Sequence, residues 1–335
     1  MERGAVVIRP VERGQIIGVW WEDYVVLNHP QFSSKTHPKH SIQPKEEIPQ
    51  SNEGQGQQTF NEQQTHTAES ISCQMKDSIL SLKSEYISQN GELVNYSLMK
   101  SSSHFFQYLE IIQLLPQLDL SILSSIERKA FFINIYNSLV IHSLVENIVT
   151  VDEDSIFKRL RMYATASYQI GPFVYSLNDI EHGILRGNKS SPTPFSSPPF
   201  TSQDPRLRFI VELDPRIHFA LNCGAKSCPP IKVYLDSKLD RQLQTATRGY
   251  LSSNVAIDLP QRTVTLSMLF KWFRNDFGKN DLEILRWIEL HASEDIARPV
   301  HQLLEDVAIN RKKSFFSSSS QIKINYFPYD WRINS

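Results

Sequence analysis

Asp214-Pro-Arg-Ile-His-Phe-Ala-Leu-Asn-Cys-Gly-Ala-Lys-Ser-Cys-Pro-Pro-Ile231 is the stretch on which the reading of this chain turns. It gathers His218, Asn222, Cys223 and Cys228 into a short span, and the whole sequence has only 3 cysteines. Residues 216–222 read as a strand. Alternation then places Arg216, His218, Ala220 and Asn222 on one side and Ile217, Phe219 and Leu221 on the core side. Ala220 would leave a gap between the imidazole and the carboxamide. Cys223-Gly224 would open a turn, since glycine reaches positive φ without strain. A thiol turned onto the polar face beside His218 is a candidate nucleophile with a lowered pKa. If the strand instead continues through Cys223, the two side chains point to opposite faces.

Two other readings of the same residues stand beside this one. Cysteine is among the most buried residue types, so both thiols also fit as packing; Cys228, followed by two prolines, suits pinning a loop. His218, Cys223 and Cys228 have a metal-like spacing but lack the fourth ligand of a structural zinc site, so no metal is expected. A disulfide between Cys223 and Cys228 is sterically conceivable but not expected as a permanent feature in a reducing compartment.

Working outward, residues 128–142 form a helix that is apolar all round, the mark of a buried element. Asn134 and Asn137 lie three apart on one side of it, and buried carboxamides require hydrogen-bond partners. They either tie down neighbouring loops, or line a pocket and orient an imidazole. His142 falls off that face. Ser124-Ser-Ile-Glu127 reads as the capping box of this helix. In Ser176-Leu-Asn-Asp-Ile-Glu-His-Gly-Ile-Leu-Arg186 a strand enters a helix with Asn178 as its cap. Asp179, His182 and Arg186 share one side, and Glu181 or His182 could supply an acid or base.

The organisation follows from composition. Residues 1–30 hold short apolar runs that suit docking on the main domain. Residues 31–75 are rich in Gln and Ser and too poor in apolar surface to offset the entropy of ordering, which predicts a disordered linker. Residues 76–335 are left for one domain, interrupted at 187–204 by a Ser/Pro-rich excursion expected to be a flexible surface loop. Helical periods at 77–86, 93–99, 105–115, 121–149, 237–250, 268–273 and 281–288 alternate with short strands at 173–177, 207–213, 216–222, 255–258, 263–266 and 322–326. There is no regular strand–helix–strand beat. The fold class is therefore α+β, a single mixed domain of helices and short strands.

Charge excludes some partners. The 35 Lys and Arg against 36 Asp and Glu give a net charge of −1, so nothing draws the chain to nucleic acid. No run approaches the roughly 20 apolar residues of a membrane span. An odd cysteine count without a secretory signal points to the cytoplasm. No phosphate-cradling loop or dinucleotide motif is present, and no cofactor is expected.

Taken together, Phe131-Phe-Ile-Asn-Ile-Tyr-Asn137, Ser176–Arg186 and Asp214–Ile231 resemble the family catalogued as domain of unknown function 547. Phe270-Lys-Trp-Phe-Arg-Asn-Asp-Phe-Gly278 and Pro328-Tyr-Asp-Trp331 fit it too, and the resemblance spans roughly residue 93 to the C-terminus. It implies a shared α+β domain without an assigned activity. Its signature falls on Asn134, Tyr136, Asn137, Asn178, Glu181, His182, Arg186, His218, Asn222, Cys223 and Cys228. The leading expectation is a papain- or transglutaminase-like thiol enzyme acting on a small-molecule or peptide substrate. Cys223 would be the nucleophile, His218 or His182 the base and Asn137 or Asn134 its orienting group, with Asn222 near the oxyanion; Glu181, Arg186 and Cys228 would border the site. The alternative is a non-catalytic interaction module in which the Asn/His/Cys network is structural and the N-terminal segment or linker binds a protein partner.

Overall fold

The computed structural model describes residues 25–28, 68–146, 156–193, 195–313 and 322–335. The apolar runs before residue 25 and most of the expected linker lie outside them. Val25–Val26 (β1) pairs in parallel with Ala166–Ile170 (β2), which forms a hairpin with Phe173–Ser176 (β3). Next to β1, Leu27 and Asn28 are buried, and the Asn28 carboxamide donates to the carbonyls of Ile112 and Gln169.

Helix begins earlier than composition suggests. Ala68–Tyr86 (α1) reaches into the stretch read as linker, and it does so because Ile71 and Met75 have a core to enter. Tyr96–Lys100 (α2) and Ser103–Ile112 (α3) pack beside it, each started by a side-chain cap, Asn95 and Ser102. Ser125–Val145 (α4) carries the expected capping box, with Ser124 and Glu127 each satisfying the other's backbone N–H. Every residue from Ala130 to Val145 on it is buried, as its all-round apolar pattern requires. Ile156–Thr165 (α5) leads into β2.

The second half is built around another small sheet. Leu239–Asn254 (α6) runs into the expected hairpin of Val255–Asp258 (β4) and Thr263–Leu266 (β5). Met268–Trp272 (α7), Arg274–Phe277 (α8), Asp281–His291 (α9) and Glu294–Lys313 (α10) follow, and Lys323–Tyr326 (β6) adds to β5 in parallel. The architecture is mixed α+β: helices with two three-stranded sheets. No helix among the described residues is long and apolar enough to cross a membrane.

Two apolar cores result. The larger is built on α1 to α5 and the first sheet, the smaller on β4 to β6 and α7 to α10. Residues 214–222 are the seam between them, because Ile217 enters the first core and Phe219 the second. This segment is not the expected strand. Pro215–Phe219 is a 3-10 helix, capped by Asp214, whose carboxylate accepts from the Arg216 N–H and the Arg216 guanidinium. The stretch 207–213 is likewise no strand, since Asp204 caps a second 3-10 helix, Pro205–Phe209, in the same way. In both places an Asp cap followed by proline sets the start of a helical turn and overrides the apolar alternation.

Within the Ser/Pro-rich stretch 187–204, Phe200 is an anchor point. Phe200 is buried, its backbone is held at both ends by the Asn188 carboxamide, and the Arg206 guanidinium lies 4.3 Å from its ring centre.

Candidate functional site

Where the two cores meet lies a cavity of about 670 Å3, a size suited to a small ligand. Leu160, Leu221, Leu269, Trp272 and Phe273 give it an apolar wall. Tyr136, Glu181, His182, His218, Cys223 and Cys228 also line it. No lysine or arginine is among its described lining residues.

His218 reaches the cavity from the seam helix and is held there by α8. Its Nε2 lies 2.9 Å from Asp276 Oδ2. Arg186 Nε donates to the same oxygen at 2.6 Å, and Lys189 Nζ to the other at 3.0 Å. Burial alone would raise the Asp276 carboxyl, but the hydrogen bonds from His218 and Arg186 outweigh it and hold the group well below the usual carboxylate range. An ionised carboxylate can only accept, so the His218 hydrogen sits on Nε2 and Nδ1 keeps a free lone pair. Burial lowers the His218 pKa, with Asp276 opposing, so the ring is neutral at pH 7. It stacks on Phe273, 4.0 Å between ring centres and 20° between planes, which fixes its direction.

The acidic side comes from a π-helix, Asp179–Leu185, in which a wide turn brings Glu181, His182 and the following Arg186 toward the same centre. Its start is not capped by Asn178. Instead Ser176 and Asp179 satisfy one another's backbone N–H groups. Gly183 is required by close approach, because a Cβ there would stand 2.5 Å from the Phe200 ring. Arg186 Nη1 donates to His182 Nδ1 at 3.0 Å, and burial pushes the His182 pKa down to about 3. Tyr136 on α4 donates to Glu181 Oε2 at 2.8 Å. Burial raises the Glu181 pKa against the pull of His218 and Tyr136.

The two cysteines face each other across a tight loop. Cys223 Sγ and Cys228 Sγ are 2.8 Å apart. Cys228 Sγ also accepts from the backbone N–H of Cys223 at 3.1 Å and of Ala225 at 3.4 Å. The Tyr329 hydroxyl is 3.3 Å from Cys228 Sγ and 3.6 Å from Cys223 Sγ. Gly224 at φ +82° makes the turn, and a Cβ there would meet Leu144 at 2.6 Å. The C-terminal tail clamps the loop through bonds from Lys226 to Arg332, Ser227 to Asp330 and Asn334 to Gly224. Cys223 is half-buried and Cys228 buried. The Cys228 hydrogen bond, aided by Tyr329 and opposed by burial, lowers the Cys223 pKa to about 6, while burial raises Cys228.

Of the residues singled out from sequence, Tyr136, Asn178, Glu181, His182, His218, Cys223 and Cys228 line this cavity, and Arg186 reaches Asp276 and His182 beside it. The asparagines do other work. Asn134 holds both backbone groups of Tyr234; Asn137 holds the Ala220 carbonyl and the Asn222 N–H. Asn222 spans Gly224 and Pro229. These carboxamides are spent on main chain, so the expected orienting role of Asn137 or Asn134 and the oxyanion role of Asn222 are corrected. The His218–Ala220–Asn222 face disappears with the strand: Ala220 is fully buried and only His218 meets the cavity. Cys223 bonds to Cys228 and Tyr329, and no imidazole among the described residues hydrogen-bonds to it. No group of three metal-ligating side chains occurs among the described residues.

Asp276 was not singled out, although it sits in the quoted motif 270–278; nor was Tyr329, in the motif 328–331. Their pairing with residues far along the chain carries no local signal. Fold and site together define an α+β domain with a His–Asp–Arg network and a cysteine pair on one cavity. Residues 120–251 match the model of the family described as "Protein of unknown function, DUF547". The match is narrower than the motifs suggest, and it leaves Asp276 and Tyr329 outside. No curated protein and no solved structure matches the chain.

Proposed function

We propose that the cavity is the active site of a thiol-dependent hydrolase or acyl transferase in a reducing, cytoplasmic setting. One observation carries this reading: a half-buried thiol with a pKa lowered to about 6 and a neutral imidazole backed by an ionised aspartate line the same cavity.

The division of labour differs from a papain-like pair. With its pKa near 6, Cys223 is already thiolate at pH 7 and needs no base to attack an acyl carbon. Glu181, with its raised pKa, is the group to protonate the leaving oxygen or nitrogen. His218 Nδ1 then takes a proton from water or an acceptor alcohol, which attacks the thioester and releases Cys223, and the proton returns to Glu181. Asp276 stabilises the imidazolium formed in that step. With an apolar wall and no cation on the described lining, the cavity suits an uncharged apolar acyl group.

In a Cys73→Ser background, p-nitrophenyl esters of apolar acids should give a burst of nitrophenolate and an acyl adduct on Cys223. Cys223→Ala should abolish both. His218→Gln should keep the burst but slow turnover by about 10²–10⁴-fold, so that the adduct accumulates. A burst that survives Cys223→Ala would remove the thiol from the mechanism.

A further inference from the structure

Cys223 and Cys228 sit in a loop that prepares them for one another. Their sulfurs are 2.8 Å apart, against about 2.05 Å in a formed disulfide, so closure asks for less than an ångström of sulfur movement. The loop is ordered beforehand by Gly224, the Asn222 carboxamide and the C-terminal tail. Most of the chain entropy of joining the sulfurs is thus already lost in the fold. Both thiols border the cavity but they are unequal in reach: Cys223 is half-buried and Cys228 is buried. Two backbone N–H groups and the Tyr329 hydroxyl converge on Cys228 Sγ, where they stabilise negative charge as its proton leaves.

We propose that Cys223 and Cys228 are a dithiol–disulfide couple that exchanges two electrons with small disulfides of the glutathione type. The Cys223 thiolate attacks one sulfur of the small disulfide, forming a mixed disulfide and expelling one thiolate, which takes up a proton. Cys228 then loses its proton to solvent, and its sulfur attacks Cys223 Sγ. The second small thiol leaves and the Cys223–Cys228 bond forms. The protein is oxidised by two electrons and the small disulfide is reduced to two thiols. This couple is independent of the acyl chemistry proposed above, although closing the disulfide would take Cys223 out of that chemistry.

The test uses the full chain with Cys73→Ser, since Cys73 is exposed on α1 and would report separately. The protein is incubated with glutathione disulfide, denatured, alkylated with iodoacetamide and mapped by peptide mass. The expected result is a Cys223–Cys228 cross-linked peptide lacking two hydrogens, with both cysteines protected and both recovered by dithiothreitol. Alkylation of both cysteines after oxidation would overturn the proposal, as would a lasting glutathione adduct on Cys223 beside a free Cys228. Cys228→Ser should hold the adduct on Cys223; no adduct there, with the wild type still closing, would overturn the order of attack. Should that variant fail to fold, the wild-type peptide map decides. The ester burst is measured separately on reduced protein, so the loss of one activity leaves the other standing.

Discussion

At Asp276 three cationic or donor groups meet one buried carboxylate, and removing its charge separates structure from chemistry. Asp276→Asn leaves Arg186 buried opposite a neutral amide, which should cost about 3–5 kcal/mol in urea unfolding at pH 7. A loss under about 1 kcal/mol, the worth of an exposed pair, would mean the network contributes little to the fold. Tyr329 tests the thiol side. Its hydroxyl helps to hold the Cys223 pKa at about 6, so Tyr329→Phe should move the midpoint of the iodoacetamide rate upward in the Cys73→Ser background. Below the new midpoint less thiolate is present, and alkylation slows there. An unmoved midpoint would show that Tyr329 does not help to set the thiol.

Elements show why the sequence was legible in some places and not in others. α4 could be read because its period, its capping box and its burial are all local properties of residues 124–145, and they agree. The β4–β5 hairpin could be read for the same reason. The seam could not be read as a strand because Asp214-Pro215-Arg216 is a helix-start signal that apolar alternation obscured, and Asp204-Pro205-Arg206 repeats it. The candidate site was legible as residue types, since His218, Glu181 and Cys223 do share a cavity. Its partners were not, because Asp276 and Tyr329 reach it only through packing of the second core and the tail. The asparagines of α4 make the same point energetically. Asn137→Ala orphans a buried carbonyl at Ala220 and a buried N–H at Asn222, each worth about 1–3 kcal/mol. It should lower the urea midpoint and loosen the loop that follows Asn222, seen as faster amide exchange at Gly224 and Ala225. Unchanged exchange at those amides would assign the loop's order to the tail instead.

Across the whole molecule the polar groups lie where two cores close on each other, so protonation couples to folding rather than to the cavity alone. His142, deep in the larger core, has its Nδ1 2.9 Å from the Tyr168 hydroxyl, and that hydroxyl meets Tyr108 at 2.6 Å. Burial, with a smaller push from Lys100, lowers the His142 pKa from 6.5 to about 3; burial and Arg186 do the same for His182. Between those limits the unfolded chain binds protons that the native state refuses, so stability rises with pH across the window. The contribution is complete above about pH 6.5 and is lost as pH falls toward 3, at about 1.4 kcal/mol per pH unit for each histidine. Glu181 has the opposite sign: its raised pKa favours the native state below the unfolded value and gives that up as pH rises. The useful measurement is therefore a difference of slopes. Urea unfolding of the wild type and of His142→Gln, followed from pH 7 to pH 5, should show the variant's stability falling less steeply by about 1.4 kcal/mol per unit in the lower part of that range. The variant can start less stable at pH 7, because the Tyr168 hydroxyl loses its imidazole partner, without affecting that comparison. Equal slopes would mean that His142 is protonated in the native protein, and that the tyrosine pair rather than burial governs its charge.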